Sequence, residues 1–275
     1  MNVKNRLYLY LFLLVLVAMT MLLLRNARQS SQAPLSPRDY KEIIHSGELN
    51  VVTDYNAIGY YVSGDTMEGF QLEMMQALED DWGVKVNLFL ENSLDENLEG
   101  LGMQRYDLVA RSIPVNSQLR DDYFFTHPIT LNKQVLVQRK AEYNDSLAPI
   151  RQHLDLAGKT IHVAKDSPAI LRLNNLSHEI GDTIVIYENP VYEAEQLMMM
   201  VASGDIDFTV CDEKVAEGLA TVLPEIDVET DISFTQFESW ALRRDSPVLL
   251  DSLNSWLNRF RETKAFRDIY DKYYE

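Results

Sequence analysis

The 275-residue chain has a single cysteine, Cys211, and only five histidines. One cysteine excludes an intramolecular disulfide bond, and no cysteine follows the apolar N-terminal run to carry a lipid. The histidines, at positions 45, 127, 153, 162 and 178, lack the close spacing of metal ligands. We therefore expect neither a metal nor another cofactor, and we interpret Cys211 as a small buried strand residue.

Basic residues are also scarce, because 25 lysines and arginines face 42 acidic residues and the formal net charge is −17. Residues 1–38 hold five of the basic residues and no acid, so the rest of the chain is still more acidic. Phosphate backbones bind lysine and arginine, so this balance excludes nucleic acid as a partner. It suits a self-repelling, soluble surface.

Familiar catalytic motifs are missing as well. The sequence has no Gly-x-Ser-x-Gly, no His-Glu-x-x-His and no phosphate-binding P-loop. The carboxylates are too many to single out a glycosidase pair, and their spacing alone does not exclude that chemistry. The motifs therefore favour a protein that is not an enzyme.

The sequence has one long apolar run, at residues 7–24. Lys4 and Arg6 precede this run, and Arg25 and Arg28 follow it. The run is long for a signal peptide and just long enough to span a bilayer. We predict a membrane anchor at 1–25 and a flexible tether at 26–38, with the soluble part in the periplasm. The alternative is a cleaved signal peptide and a free periplasmic protein.

Beyond the tether, the chain alternates between strand and helix patterns twice. The first β-α-β-α-β unit is predicted at 48–53, 68–82, 84–90, 93–102 and 106–110. The second is predicted at 160–164, 167 onward, 183–187, 192–203 and 206–211, where Ser167 would cap its helix and Pro168 would begin it. Strand 238–242 is expected to rejoin the first unit before two closing helices. The pattern predicts an α/β fold of two lobes, each a mainly parallel sheet flanked by helices, at 39–135 plus 235–275 and at 140–230.

The third strands of the two units end in polar residues of opposite charge. Arg111 and Ser112 end one strand, and Asp212 ends the other. Ligands of open α/β sheets bind beyond such strand ends. We expect the two ends to face each other across a cleft, although Asp212 could equally cap the helix after it.

Several motifs together resemble the family 3 extracellular solute-binding proteins, which have the type II periplasmic-binding-protein fold. They are Ser-Gly-Glu-Leu-Asn-Val at 46–51, Glu-Gly-Phe-Gln-Leu-Glu at 68–73, Tyr-Asp-Leu at 106–108, Phe-Phe-Thr-His-Pro at 124–128, Ala-Gly-Lys-Thr at 157–160 and Asp-Ile-Tyr-Asp-Lys-Tyr-Tyr at 268–274. The chain also resembles the N-terminal solute-binding-like modules of membrane-bound lytic murein transglycosylases. The resemblance covers about residues 40–275 and implies no catalytic domain.

The resemblance also implies binding residues. In amino-acid-binding members, an aspartate at the position of Asp212 binds the ligand ammonium, and a serine or threonine near Ser167 assists. An arginine binds the ligand carboxylate, but a gapless match places Leu119 there, next to Arg120. Arg111 is the other candidate for that role. The remaining candidates are Asp166, beside Ser167, and the loop residues Tyr55 and Tyr60, which could stack on a ligand.

These features indicate a membrane-tethered module that closes two lobes on a small zwitterion, such as an amino acid, a short peptide or a peptidoglycan fragment. Its use could be sensing, regulation or transport, and a membrane or cell-wall protein is a further candidate partner. The alternative is a cell-wall enzyme related to the lytic transglycosylases, whose catalytic glutamate stands in a Glu-Ser motif. Glu238 precedes Ser239 here, but it falls in a predicted strand, and we interpret it as structural.

Overall fold

The computed structural model describes residues 38–115 and 117–275, together with the single residue Met19. The predicted membrane anchor and all of the predicted tether except Arg38 lie outside the described residues. Among the residues that are described, no helix combines the length and the apolar character needed to cross a membrane. Arg38–Glu275 forms one compact unit that contains two β-sheets.

The first lobe is a six-stranded sheet with its helices. Its strands run in the order β4-β1-β5-β13-β6, and β7 also pairs with β13. A separate hairpin, β2 with β3, lies beside it. In chain order the elements are α1 Tyr40–Ser46, β1 Glu48–Thr53, β2 Tyr61–Ser63, β3 Thr66–Glu68, α2 Phe70–Trp82, β4 Lys85–Leu90, α3 Leu94–Gly102, β5 Leu108–Pro114, α4 Ser117–Asp122, β6 Tyr123–Phe125, β7 Thr130–Asn132, and, after the second lobe, β13 Gln236–Arg243, α8 Pro247–Phe260 and α9 Lys264–Tyr274.

Apolar side chains at helical spacing hold α2 and α8 against this sheet. Phe70, Met74 and Leu78 of α2 are fully buried, as the four-residue spacing in the sequence predicts. Trp256 of α8 packs between Trp240 of β13 and Phe260, with ring centroids 6.5 and 4.8 Å away. Helix α8, near the end of the chain, therefore closes over a core that includes strand β1 from near its start.

The second lobe is a five-stranded sheet in the order β10-β9-β11-β8-β12. Leu136, Ile161, Val163 and Leu173 form part of its core and are fully buried. In chain order its elements are β8 Gln134–Arg139, two short 3₁₀ turns at Ala141–Tyr143 and His153–Leu156, β9 Thr160–Ala164, α5 Ala169–Ile180, β10 Val185–Asn189, α6 Ala194–Ser203, β11 Thr209–Asp212, α7 Glu213–Ala220 and β12 Ile226–Asp231.

Both sheets are mixed, and the prediction of mainly parallel sheets is corrected in this respect. The β-α-β-α-β units are parallel as predicted, but β13 runs antiparallel to β5, β6 and β7, and β8 runs antiparallel to β11 and β12. The physical reason is the place of these strands in the chain. β8 leads the chain into the second sheet and β13 returns it to the first, so neither is joined by a crossover helix within its own sheet, the connection that would make it parallel to its neighbour.

Two local details also differ from the sequence prediction. Pro168, rather than Ser167, is the residue before α5, and the Ser167 hydroxyl accepts a hydrogen bond from the Ala169 amide at 3.3 Å. The loop predicted around Tyr60 contains the β2–β3 hairpin. Gly69 comes directly after it with φ of 142°, and a side chain there would meet the Gly59 carbonyl at 2.2 Å. That close approach explains the glycine.

Candidate functional site

A cavity of about 290 Å³ lies where strand ends of the two lobes meet. Five carboxylate side chains line it, from Asp54, Asp166, Glu193, Glu195 and Asp212, and three basic side chains, from Arg111, Lys165 and Lys214. Of the basic side chains only Arg111 is largely buried, with 13% of its side chain exposed. The excess of carboxylates favours a ligand that carries positive charge.

Arg111 lies on β5 and faces the cavity, but its charge is already balanced inside the first lobe. Its Nη2 is 3.1 Å from Asp54 Oδ2, and its Nη1 donates to the Asn92 carbonyl at 2.8 Å. Among the described residues, Arg111 Nε and Asp54 Oδ1 are buried without a hydrogen-bond partner. Both residues line the cavity, but these two atoms lie below its surface.

Asp212 ends β11 and immediately precedes α7. Its side chain makes no capping hydrogen bond to that helix, so capping does not occupy the carboxylate. Burial raises the pKa of Asp212 to about 8, and the neighbouring carboxylates of Glu238 and Asp54 act in the same direction. Arg111 and the Asn132 side chain oppose this rise in pKa without reversing it.

Glu238 of β13 lies next to Asp212 and is 4% exposed. Its Oε2 accepts from the Thr130 hydroxyl at 3.1 Å, and its Oε1 accepts from the Asn132 side-chain amide at 3.0 Å. Burial raises the pKa of Glu238, while hydrogen bonds from Asn132, Ser112 and Thr130 lower it in part. The residue lies in a strand, as the sequence predicts for Glu238 in its Glu-Ser pair.

Tyr274 of the last helix completes this part of the wall. The residue is 9% exposed, and it lines the same cavity as Asp212. Burial raises the pKa of the Tyr274 hydroxyl far above its usual value, and Glu238 and Asp212 add to the rise. The hydroxyl therefore stays protonated at physiological pH and can act as a hydrogen-bond donor.

Glu193 and Glu195 bring two further carboxylates from the start of α6. Glu195 Oε1 accepts from the Ala57 amide of the first lobe at 2.6 Å, so this hydrogen bond joins the lobes. Burial raises the pKa of both glutamates, and Asp54 contributes to each rise. The sequence analysis missed both residues. Their signal was the Glu-Ala-Glu run at the start of a predicted helix.

The structure brings six of the eight predicted site residues to the cavity, and they are Asp212, Arg111, Ser112, Asp166, Ser167 and Tyr55. Asp166 adopts a left-handed backbone with φ of 57° in the turn before α5. Tyr55 is 45% exposed at the cavity wall. These placements join residues from both lobes at one site.

Arg120 and Tyr60 are not at the cavity, contrary to the prediction. Arg120 lies on the short helix α4 and lines a separate surface depression with Phe124 and Phe237. Tyr60 is buried, and its hydroxyl donates to the Met67 sulfur of the adjoining hairpin. The hairpin packs Tyr60 into the first lobe, and α4 carries Arg120 to a different surface.

No cluster of three or more histidine, cysteine or acidic side chains within 38–115 and 117–275 is arranged to hold a metal ion. Cys211 is buried and free, as predicted for a strand residue, and burial raises the pKa of its thiol well above the usual value. The chemistry at the cavity is therefore carried by carboxylates, hydroxyls, amides and Arg111.

The family model for bacterial extracellular solute-binding proteins, family 3, matches residues 49–275. A membrane-bound lytic murein transglycosylase F of Pseudomonas fluorescens is 26% identical over 240 residues, covering 86% of this chain and 48% of that protein. The chain thus spans about half the length of the curated relatives it matches.

Solved structures of binding proteins share the two-lobed architecture. A mutant of ArgBP from T. maritima superposes with a TM-score of 0.73 at 19% identity, covering 85% of this chain and 98% of the other. An ancestral arginine-binding protein bound to arginine gives a TM-score of 0.72 at 20% identity, with 83% and 99% of the chains covered. At these identities the likeness shows the fold alone.

Proposed function

Because the chain belongs to family 3 of the bacterial extracellular solute-binding proteins, we propose that its two lobes close on a small zwitterionic ligand. An amino acid, a short peptide and a peptidoglycan fragment are the candidate ligands. The observation that carries this proposal is the unbalanced charge of the cavity. Five carboxylates face a single largely buried cation, which is itself paired with Asp54.

The ligand amine is proposed to bind Asp212. A desolvated carboxylate needs a cationic partner or a proton, and the described residues supply no ion pair to Asp212. A ligand carboxylate would bind Arg111, which lines the same cavity as Asp212. Ser112, Ser167 and the Tyr274 hydroxyl are positioned at the cavity wall to donate further hydrogen bonds.

The names of similar structures guide the choice of probes. Two of them are an ancestral arginine-binding protein bound to arginine and a Streptococcus pneumoniae amino acid transporter component bound to L-arginine. Their arginine is a cation at its side chain, which matches the excess of carboxylates in the present cavity. L-Arginine and L-lysine are therefore the first probes, followed by short peptides and muropeptides.

The lobes are proposed to comprise residues 39–135 plus 235–275 and residues 140–230. Support comes from sheet membership, because β8 to β12 form one sheet and every other strand outside the small hairpin belongs to the other. Closure would bring α6 and α7 toward the loop after β1. The hydrogen bond from Ala57 to Glu195 is the contact that closure would favour.

The tether and the location are proposed from the sequence. An anchor at 1–25 followed by a tether at 26–38 would hold the lobes at the periplasmic face of the inner membrane. A tethered module suits local sensing or regulation. A receptor for a transporter would instead be expected to diffuse freely. A cleaved signal peptide would instead release the protein, and immunoblotting of separated membrane and periplasmic fractions distinguishes the two.

A thermal-shift screen tests the proposed function. A ligand that binds only the folded state raises the melting temperature with its concentration. We expect L-arginine or L-lysine to raise it, and a flat response to amino acids, peptides and muropeptides alike would contradict the proposal. The cell-wall enzyme is favoured only by the relatives' names, and release of soluble muropeptides from peptidoglycan by this chain would support it.

A further inference from the structure

A carboxyl group at the cavity wall and a buried one behind it lie on either side of Asn132. Asn132 donates to Glu238 Oε1 at 3.0 Å, and the next residue, Lys133, accepts at its carbonyl from the Glu213 amide at 2.9 Å, which holds Asp212 beside Asn132. Glu238 is 4% exposed, and the Thr130 hydroxyl occupies its other oxygen at 3.1 Å. The two acids come from different lobes, since β13 belongs to the first sheet and β11 to the second.

Within the described part of the chain, no cation is paired with these two acids. Arg111 is the nearest one that acts on Asp212, and its guanidinium is bound to Asp54 and to a carbonyl. Lys133 follows Asn132 in the chain, but its ammonium lies 3.0 Å from Glu213 and 2.9 Å from Asp231. The pair therefore has hydrogen-bond donors and no counter-ion.

Two neighbouring carboxyl groups in such a place do not both ionise, because each anion raises the pKa of the other and burial penalises both. The other groups that face them do not change this outcome. Asp54 raises the pKa of both, the buried hydroxyl of Tyr274 and the thiol of Cys211 stay neutral, and Arg111 lowers the pKa of Asp212 only in part. One proton remains on the pair at neutral pH.

We propose that Asp212 and Glu238 hold one shared proton while the cavity is empty, and that a cationic ligand displaces it. The ammonium or guanidinium of the ligand takes the place of the proton at Asp212, and the proton leaves to solvent. The module then exchanges a proton for a cation. This inference rests on the proposed function, because it needs a ligand in this cavity.

The exchange makes affinity depend on pH in a defined direction. Binding that releases a proton becomes tighter as pH rises, by up to about tenfold per pH unit for one proton. Affinity depends on pH in this way at pH values that lie between two pKa values of the pair, the higher one in the empty protein and the lower one in the complex. We therefore expect the affinity for L-lysine or L-arginine to rise steadily between about pH 6 and 8.

Isothermal titration calorimetry measures the released proton directly. The full chain, in detergent micelles, is titrated with L-arginine and with L-lysine at pH 7 in phosphate, HEPES and Tris buffers. The dependence of the observed enthalpy on the ionisation enthalpy of the buffer gives the number of protons, and we expect between about 0.5 and 1 per ligand. An enthalpy independent of the buffer overturns the exchange.

Glu238→Gln is the variant that removes the second carboxyl while it keeps the side-chain volume and the oxygen that accepts from Asn132. Without its partner, Asp212 keeps only the part of its pKa rise that burial and Asp54 cause, so proton release at pH 7 should fall and the affinity should depend less on pH. Glu213→Gln is the matched control, because Glu213 adjoins Asp212 in sequence but pairs with Lys133 outside the cavity. Full proton release should persist in that control.

A measurement on the unmodified chain keeps the test independent of variant folding. Infrared difference spectroscopy at pH 7 should show the carbonyl stretch of one protonated carboxyl in the empty protein and its loss when L-arginine is added. If neither L-arginine nor L-lysine binds, the exchange is wrong, and the peptides and muropeptides of the thermal-shift screen decide the proposed function separately. If a probe binds without proton release and without the infrared change, the proposed function stands and the exchange alone is wrong.

Discussion

The two strand ends that meet at the cavity differ in how their charges are balanced. Arg111 of the first lobe is paired within its own lobe by Asp54, at 3.1 Å. Asp212 of the second lobe has no counter-ion among the described residues and lies against Glu238 instead. Their charges are opposite, yet only one of them is left for a ligand to neutralise. The side of the cavity with Asp212, the acidic wall, should therefore dominate ligand affinity. The side with Arg111, the basic wall, should contribute more to the stability of the fold.

The largest expected effect is on affinity at the acidic wall. Asp212→Ala should weaken binding of the ligand found in the thermal-shift screen at least about tenfold, because truncating one partner of a desolvated charge pair costs about 2–5 kcal/mol. Calorimetric titration measures the dissociation constant, and circular dichroism checks that the fold is retained. Unchanged affinity in a folded variant would show that the unpaired carboxylate does not contact the ligand.

At the basic wall the comparison predicts a loss of stability. Arg111→Gln leaves Asp54 partly buried without its cation, and we expect the free energy of unfolding to fall by about 2 kcal/mol. Urea denaturation followed by tryptophan fluorescence measures it. Arg120→Gln is the control, since Arg120 is exposed and away from the cavity, and it should change little. Equal losses in the two variants would contradict the assignment of Asp54 as the partner.

The pH dependence of stability is a further test of the difference between the two strand ends. The pKa values of Asp212 and Glu238 are raised by folding, so the folded chain binds more protons than the unfolded chain above about pH 4. Their stabilising contribution is complete below the unfolded pKa values and is lost as pH rises through the folded value of Asp212, about 8. Unfolding free energy should fall between about pH 6.5 and 8, by at most about 1.4 kcal/mol per pH unit for each proton.

Denaturation curves at several pH values check that fall, in the absence of ligand. Glu238→Gln should make the fall shallower, because it removes one raised pKa and one of the causes that raise the pKa of Asp212, while burial of Asp212 remains. Carboxyls whose pKa is lowered by folding, such as Asp227 beside Arg151, are already ionised in this pH range and do not contribute. A stability that rises from pH 6.5 to 8 would show that Asp212 and Glu238 are not the groups that respond.

The smallest expected effect concerns the contact between the lobes. Glu195→Ala removes the acceptor for the Ala57 amide, and we expect ligand affinity to fall roughly threefold, or by under about 1 kcal/mol. Small-angle X-ray scattering without ligand should show a larger radius of gyration if the contact favours closure. Glu188→Ala, an exposed residue of β10, is the control for removing a negative charge from the second lobe.

The sequence predicts the parts of this comparison that depend on local pattern. Short apolar runs after Asp107 and Asp207 identified β5 and β11, and the charged residues at their ends followed directly. Parallel pairing then placed Arg111 and Asp212 at facing strand ends. Helical spacing from Phe70 to Leu78 likewise identified the buried face of α2 before its neighbours were known.

Other parts depend on residues that only the fold brings together. Asp54 contacts Arg111 because β1 and β5 are adjacent, and Glu238 meets Thr130 and Asn132 across more than 100 residues of chain. The motif match placed Leu119 at the arginine position, which made its neighbour Arg120 a candidate, but α4 places Arg120 on another surface, and no local pattern reports that direction. Strand 238–242 was expected to rejoin the first unit, but its antiparallel direction was not, because no local pattern in these residues reports the direction in which a strand enters a sheet.

The order of the strands in the first sheet also determines which lobe can fold first during synthesis. β13 lies between β5 and β6, and Tyr274 packs on Phe70 with ring centroids 5.0 Å apart, while the Tyr273 hydroxyl accepts from the Gly69 amide at 2.9 Å. Every strand of the second sheet leaves the ribosome before these residues do. The later-encoded lobe can therefore pack while the earlier one still waits for its final strand and helices, and no complete binding cavity exists until residue 274 has emerged.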